Sequence, residues 1–253
     1  MNQKLTPVKR ANLPCNKVGL AIGSCSAKAY KSLKERGIEL LEPLAEPGLE
    51  RALSRHSDLV FLHLGDKNIV VSEHQATLAE KLGEYGFTEP HSRPLINSPY
   101  PQDVPLNLVL LGENVICNTK TAWPSLLEHL YSENFNIIDV KQGYTKCSVC
   151  VVNESAVITE DRTIALACNK AGIDALLISK GTIKLKGHEY GFIGGCSGLV
   201  AGDCLAFHGK LEEHKDSQVI YDFLDSHKIQ ALSLSDESLT DIGGILPILE
   251  YEP

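Results

Sequence analysis

The sequence predicts an α/β fold built from five strand–strand–helix–strand units. Hairpin turns between short apolar strands recur at Gly65, Gly112, Asn153 and Gly202, and their spacing of roughly 40–50 residues is typical of repeat architectures. A helical stretch and an apolar exit strand follow each turn. The fifth unit is complete only if the C-terminal strand joins the N-terminal segment, which also covers sheet edges. These observations predict a ring of five units, an α/β propeller, as one domain spanning residues 1–253.

Each predicted element depends on local signals. Gly37, Gly86 and Gly172 mark helix ends, and Asn136 takes the place of glycine at another. Helices are predicted at 27–36, 49–55, 72–85, 123–134, 161–171 and 216–227. Strands are predicted at 18–22, 38–41, 58–64, 69–71, 87, 106–111, 115–117, 137–140, the hairpin 147–159, 174–178, 191–200, 204–208, 230–234 and 239–249.

Three helices have explicit start signals. Ser72 with Gln75 three positions later predicts a capping box. Pro124 is tolerated in a first helical turn, and Asp161 predicts an N-cap. A loop at 91–105, rich in proline, serine and asparagine, separates the first two hairpin units.

Composition limits the partners and the location. The formal net charge is −8, so there is no basic excess to neutralise phosphates and no nucleic-acid partner is expected. No apolar run approaches the ~18 residues of a membrane span, and the first fourteen residues lack an apolar signal core. We therefore expect a cytoplasmic protein with no membrane partner. The oligomeric state stays open, a homo-oligomer included.

The eight cysteines predict packing rather than a metal site. Only Cys147 and Cys150 form a C-x-x-C pair, and they lie in a strand-like run where positions three apart face opposite sides. A zinc site would need a second pair or nearby histidines at the right spacing. No metal and no cofactor is expected, and most cysteines are predicted to be small buried apolar residues of a reducing compartment.

Three phrases resemble a known family. They are QGYTKCSVCVV (142–152), YGFIGGCSG (190–198) and LTDIGGILPI (239–248), and they are similar to an uncharacterised bacterial family assigned to the pentein, or guanidino-group-modifying enzyme, fold. The resemblance runs from Leu13 onward, and the five ββαβ units agree with it. Pentein members include arginine deiminases, dimethylarginine dimethylaminohydrolases, amidinotransferases and a ribosome anti-association factor.

The resemblance implies a chemistry but does not locate the nucleophile. In catalytic penteins a cysteine thiolate attacks the guanidinium carbon, a histidine moves protons and carboxylates hold the cation. Their cysteine lies in the last unit, whereas here residues 241–248 contain none and no cysteine follows Cys204. Two functions stay open. One is a hydrolase or transferase acting on C–N bonds of a small cationic or amino-acid-like molecule. The other is a non-catalytic pentein that binds a small molecule or a protein.

Four residues are candidates for chemistry. Cys147 is the candidate nucleophile, or else a buried strand cysteine. His63 interrupts the apolar run LVFLHL and is a candidate acid/base, or else a hydrogen-bonded core histidine. Asp241 is the candidate partner of a cation, or else a turn aspartate. His188 lies in a predicted loop, where binding groups collect. It is a second acid/base or substrate-binding candidate, or else a surface residue.

The remaining candidates would bind the ligand. Lys146 breaks an apolar strand and could hold an anion at the axis, or else is a solvent-exposed lysine. Gly194 and Gly195 belong to a glycine-rich stretch that would suit a ligand-lining loop or a bulged strand. Gly243 permits close backbone approach beside Asp241. The enzyme hypothesis requires Cys147, Asp241 and a histidine to meet in one pocket, with a small-molecule ligand near the ring axis.

Overall fold

The computed structural model describes residues 4–253. The first three residues of the expected domain, and of the stretch inspected for a signal core, lie outside this range. The α-helices are α1 Ala27–Glu35, α2 Ser57–Val60, α3 Ala76–Glu84, α4 Pro124–Ser132, α5 Thr145–Ser148, α6 Arg162–Lys170 and α7 Ser217–Ser226. The strands are β1 Leu5–Pro7, β2 Val18–Ile22, β3 Glu39–Leu41, β4 Phe61–Gly65, β5 Asn68–Val71, β6 Val109–Leu111, β7 Asn114–Cys117, β8 Asn136–Asp139, β9 Val149–Asn153, β10 Ala156–Thr159, β11 Asp174–Leu177, β12 Ser197–Ala201, β13 Cys204–Phe207, β14 Gln230–Ser233 and β15 Leu246–Tyr251.

The described strands form five separate small sheets rather than one closed barrel. In four of them an antiparallel pair of strands is extended by a parallel exit strand. The orders are β6-β7-β8, β9-β10-β11, β12-β13-β14 and, from both chain ends, β1-β15-β2-β3. The β4–β5 hairpin has only a parallel bridge between Asn68 and Thr88 where a third strand would lie. The predicted strand at Phe87 is reduced to this bridge.

The two ends of the chain share one sheet. β15 pairs antiparallel with β2, matching Leu246 to Ile22 and Glu250 to Val18. β1 covers the other edge of β15. The sequence predicts the last strand at 239–249, but β15 begins only at Leu246. The residues just before β15 make backbone hydrogen bonds to other units instead of pairing within this sheet. The predicted pairing of the C-terminal strand with the N-terminal segment is confirmed.

Side-chain hydrogen bonds determine where helices α6 and α3 begin. Asp161 caps α6 as predicted, accepting hydrogen bonds from the N–H groups of Thr163 and Ile164. The capping box at Ser72 is wrong. The Ser72 hydroxyl donates to buried Glu46 and the Gln75 amide bonds the Leu44 backbone, so α3 begins only after a 3₁₀ turn, Glu73–Gln75. The predicted helix at 49–55 consists of turns.

Three predicted strands begin with a helical turn instead. The turns are α2 before β4, α5 before β9, and the 3₁₀ turn Gly194–Cys196 before β12. We call these turns, the segment Leu106–Leu108 before β6 and the segment 241–245 before β15 the strand entries. Lys146 and Cys147 are therefore not strand residues. Their N–H groups bond a side chain, Asn107 Oδ1, rather than a neighbouring strand.

The strand entries contact one another in a closed cycle. Asn107 donates to the Asp58 carbonyl and accepts from Lys146 N. Gly194 packs against the carbonyls of the α5 turn. Gly244 N then donates to Gly195 O, and Asp58 N donates to Gly243 O. Segments from all five sheets thus meet at one place, surrounded by apolar clusters of strand and helix residues. Among the residues described, no helix combines the length and apolarity needed to cross a membrane.

Candidate functional site

A cavity of about 270 Å³ opens onto the strand entries. Its walls are apolar and aromatic: Leu53, Leu59, Leu185, Tyr144, Tyr190 and Phe192. Its polar lining residues are His56, Cys147, His188, Glu189 and Asp241. The Tyr144 hydroxyl donates to the buried Asp103 carboxylate, and the Tyr144 and Phe192 rings stack at 6.4 Å. The walls are thus fixed by packing, as a small-ligand pocket requires.

Cys147 lies at the inner end of the cavity. It is 3 % exposed, and its Sγ accepts a hydrogen bond from Asn107 Nδ2 at 3.2 Å. Burial, followed by the carboxylates of Asp58 and Asp241, raises the pKa of the Cys147 thiol well above its ordinary value. The thiol is therefore protonated at neutral pH.

Asp241 forms the neighbouring part of the cavity floor. Its Oδ2 accepts from Phe192 N at 2.9 Å and its Oδ1 accepts from Gly243 N at 3.3 Å. Burial and the nearby Asp58 carboxylate raise the pKa of Asp241 to about 7, against the opposing effect of these hydrogen bonds and of Lys146. The side chain thus titrates near neutral pH.

His56 and Asp58 complete the group. His56 Nδ1 lies 3.6 Å from Asp241 Oδ1 and 4.0 Å from Asp58 Oδ1. Neither carboxylate oxygen of buried Asp58 has a hydrogen-bond partner within residues 4–253. Burial lowers the pKa of His56 below its ordinary value, more than the Asp58 carboxylate raises it. A neutral imidazole is therefore present at neutral pH.

His63 is not brought to this cavity. It is buried on β4, where its Nε2 bonds the Asp66 carbonyl at 2.9 Å, and burial lowers its pKa to about 4. It lines a separate chamber of about 10 Å³, together with Asp58 and Lys146. His63 lies five residues beyond Asp58 along the chain, and its ring is held at the β4–β5 turn. His63 therefore fits the alternative of a hydrogen-bonded core histidine. The histidine that lines the cavity with Cys147 and Asp241 is His56.

Lys146 is buried rather than solvent-exposed. Its side chain approaches Gly244 and lines the small chamber that His63 also lines, and its charge acts on the pKa of Asp241. The anions nearest to Lys146 are therefore carboxylates of the protein itself, such as Asp241. His188 lies at the cavity rim, where its Nε2 contacts Glu50 Oε1 at 2.6 Å.

The predicted glycines pack directly against the residues of the site. A Cβ at Gly195 would collide with the Asp241 carboxylate, and one at Gly194 with the carbonyls of Lys146 and Val149. Gly243 has a φ of +90°, which favours glycine, and packs against the His56 backbone. These glycines permit close approach of the strand entries.

A second cavity of about 450 Å³ shares His56, Leu185 and Asp241 with the first. Its lining includes three basic side chains, those of Arg51, Arg55 and Lys186. Arg55 is already engaged, since it contacts Glu42 at 4.0 Å and donates to the Pro43 carbonyl. Both cavities therefore reach the Asp241 carboxylate, but only the first reaches the Cys147 thiol and only the second has a basic wall.

Sequence reasoning identified two of the central residues and missed three. Cys147 and Asp241 lie on the same cavity, whereas His56, Asp58 and Asn107 were not singled out. Each of these three precedes the first strand of its unit, as Cys147 does. The repeat alignment contains this signal, because equivalent strand entries must meet if the units share an axis.

Comparison with solved structures shows the pentein fold. The agmatine deiminase of C. jejuni superposes with a TM-score of 0.58 at 7 % identity, covering 100 % of this chain and 98 % of that one. The inosamine-phosphate amidinotransferase of Streptomyces griseus gives 0.58 at 9 %, covering 96 % and 94 %. The DDAH of Pseudomonas aeruginosa gives 0.50 at 8 %, covering 87 % and 94 %. All three are guanidino-group-modifying enzymes, and identities this low show the fold alone.

The sequence comparison gives the family. A family model described as "Family of unknown function (DUF6873)" matches residues 22–246, so the chain belongs to that family. No curated protein sequence matches the chain.

Proposed function

We propose that this chain is a hydrolase or transferase acting on C–N bonds of a small molecule with a guanidinium or similar cationic group. The observation that carries the proposal is the meeting of Cys147, His56 and Asp241 at the floor of one cavity, with Asp58 directly behind them. These are the residue types that nucleophilic attack on a bound cation requires.

The charge of the site favours a cation. Asp58 and Asp241 are buried carboxylates, and Lys146 is the buried ammonium beside them. With neutral His56, ionised carboxylates leave the group at one net negative charge. Uncompensated buried charge is costly, and a guanidinium or ammonium group would neutralise it. A cation near the thiol would also lower the pKa of Cys147 by offsetting the carboxylates that raise it.

The proposed reaction passes through a covalent intermediate on Cys147. The Cys147 thiol passes its proton to neutral His56, and Sγ bonds to the guanidinium carbon. The bond from that carbon to the leaving nitrogen breaks as His56 returns the proton to the departing amine. The thiouronium left on Cys147 is cleaved by water in a hydrolase, or by a second amine in a transferase, and Sγ regains its proton.

The second cavity supports an amino-acid-like ligand. Because it adjoins the first across Leu185, its basic wall at Arg51 and Lys186 could receive an anionic end of the same molecule.

The proposal includes a position for the site in the whole fold. The closed cycle of strand-entry contacts and the pairing of the chain ends support a propeller of five units in one domain. The ligand would then lie near the axis of that ring, where the five units meet.

The second candidate is a non-catalytic pentein that binds a small cation or a protein partner. The raised pKa of the Cys147 thiol favours it, because an unactivated thiol does not attack. The last unit also lacks the cysteine on which the resemblance places catalysis.

One experiment separates the two candidates. Methylguanidinium, agmatine and arginine are titrated into wild type, C147S and D241N by calorimetry, and intact mass is recorded after rapid acid quenching. The enzyme proposal predicts binding to wild type and C147S, at least tenfold weaker binding to D241N, and a covalent adduct and product with wild type only. Binding without adduct or product supports the binding protein. No binding of any of the three cations would overturn the enzyme proposal and the small-cation form of the second candidate, and would leave a protein partner as the remaining form.

A further inference from the structure

Asn107 is a buried asparagine whose side chain joins three strand entries. It is 3 % exposed. Its Nδ2 donates to the Asp58 carbonyl at 2.7 Å and to Cys147 Sγ at 3.2 Å. Its Oδ1 accepts from Lys146 N at 2.7 Å and from Cys147 N at 3.3 Å. All four hydrogen-bonding positions of the amide are used within the site.

The orientation of this amide follows from its partners. The N–H groups of Lys146 and Cys147 can only donate, so the carbonyl oxygen of Asn107 must face them. The opposite orientation would place the NH₂ group against two N–H groups and an oxygen against the Asp58 carbonyl. The NH₂ group therefore faces the Cys147 sulfur, and the same side chain fixes both the backbone and the sulfur of Cys147.

We propose that Asn107 is a positioning residue that directs Cys147 Sγ into the cavity and stabilises its thiolate. A hydrogen-bond donor favours a charged acceptor over a neutral one, and a charge-assisted bond is about twice as strong as a neutral one. Asn107 thus opposes the burial and the carboxylates around Cys147. The relevance of this role to catalysis rests on the proposed function, but the role itself concerns the thiol alone.

The test is residue-resolved alkylation of Cys147 by iodoacetamide between pH 7 and 9.5, followed by peptide mass spectrometry. N107D is close in size and retains the acceptor oxygen, but it exchanges the donor for a carboxylate. N107A removes the whole amide. The matched controls are N118D and N118A, because buried Asn118 likewise bonds one carbonyl and one N–H, those of Lys141 and Lys120.

If Asn107 stabilises the thiolate, alkylation at pH 8.5 slows about tenfold or more in N107D, corresponding to one pK unit, and by less in N107A. The Asn118 variants stay within about twofold of wild type. The carboxylate of N107D also raises the thiol pKa by its charge alone, so N107A, which removes the donor without adding a charge, distinguishes the two roles. A wild-type rate in N107A, or an unchanged rate in N107D, would overturn the proposal. If N107D does not fold, N107A decides: a wild-type rate refutes the proposal, and slowing absent from N118A supports it.

This measurement uses no substrate. Failure to find turnover therefore leaves the Asn107 result intact, whereas an unchanged alkylation rate in folded N107D removes the Asn107 assignment even if the enzyme is active.

Discussion

Asp241 is the residue whose protonation governs what the cavity can hold. It is buried, it accepts two backbone hydrogen bonds, and it lies 3.6 Å from His56 Nδ1. Its pKa of about 7 follows from burial and from the nearby Asp58 carboxylate. Below that pH the side chain is neutral and above it is a carboxylate. Under the proposed function, a proton and the ligand cation would therefore compete for the same oxygens.

The affinity for methylguanidinium should consequently fall as the pH drops below about 7. The expected slope approaches tenfold in Kd per pH unit, because one proton is displaced per cation bound. Calorimetry from pH 5.5 to 8.5 measures it. D241N should bind weakly at every pH, and the distant H227N should keep the wild-type slope. A pH-independent Kd in wild type would contradict the competition.

Of the residues that the sequence singles out, Cys147 and Asp241 line one cavity with His188 at its rim, whereas His63 does not reach that cavity. His63 stood out because a polar residue interrupts an apolar run, yet the run reports burial and not proximity to a particular thiol. Its ring is satisfied by the Asp66 carbonyl. His56 and Asn107 gave no local signal, because their roles arise from contacts with residues such as Asp241 and Cys147, far along the chain.

The elements that carry the site are the helical turns at the strand entries. Local periodicity predicts strands at 58–64 and 191–200 and a hairpin over 147–159, and the later residues of each segment are indeed strands. The first residues of each segment form a helical turn instead, because groups far along the chain satisfy their backbone hydrogen bonds. Asp58 N donates to Gly243 O, and the N–H groups of Lys146 and Cys147 donate to Asn107. Such partners are invisible to a pattern read over a few residues.

Close packing between two of these turns can be tested with Gly194→Ala. A Cβ there would collide with the carbonyls of Lys146 and Val149, and both belong to the Cys147 turn or to the strand after it. The expected loss of unfolding free energy is ~1–3 kcal/mol, and Cys147 alkylation should change as its turn shifts. Urea unfolding measures the first effect and mass spectrometry the second.

The matched control is Gly83→Ala in α3, where an added Cβ would meet open space within the described structure. Relieving a helical glycine should stabilise the protein by up to ~1 kcal/mol. Equal effects of the two substitutions would mean that the Gly194 contact does not constrain the Cys147 turn.

For the whole molecule, the sequence predicted the pairing of the chain ends because a count of units required it. The sequence predicts four nearly complete units within the chain and a fifth that needs the C-terminal strand beside the N-terminal segment, and β15 does pair with β2. The count could not specify which side chains meet at the centre, since a shift of one residue exchanges the faces of a strand. The contact cycle among the strand entries therefore had to be read from the structure.

Burial of titratable groups gives the whole molecule opposing responses to pH. Burial lowers the pKa values of His63 and His208 to about 4, so the stability they contribute is complete above their unfolded value of about 6.5 and is lost as the pH falls toward 4. Burial raises the pKa of Glu160 to about 8 and that of Asp241 to about 7. Their contributions are complete below their unfolded values and are lost as the pH rises. Between roughly pH 4.5 and 6.5 the two pairs oppose each other.

Glu160→Gln separates one of these contributions. Glu160 is 4 % exposed, and from about pH 4.5 to 8 the folded chain retains a proton on it that the unfolded chain releases. Wild type loses the contribution of Glu160 across that window and E160Q has none to lose, so the difference in unfolding free energy should shift toward E160Q by up to ~1.4 kcal/mol per pH unit, levelling off above about pH 8. Urea unfolding at half-unit intervals measures it. E128Q, which removes an exposed carboxylate on α4, should show no such slope. An E160Q difference that is equal at pH 5 and pH 8 would mean that Glu160 ionises alike in both states, and the opposing slopes would then rest on Asp241 and the two histidines.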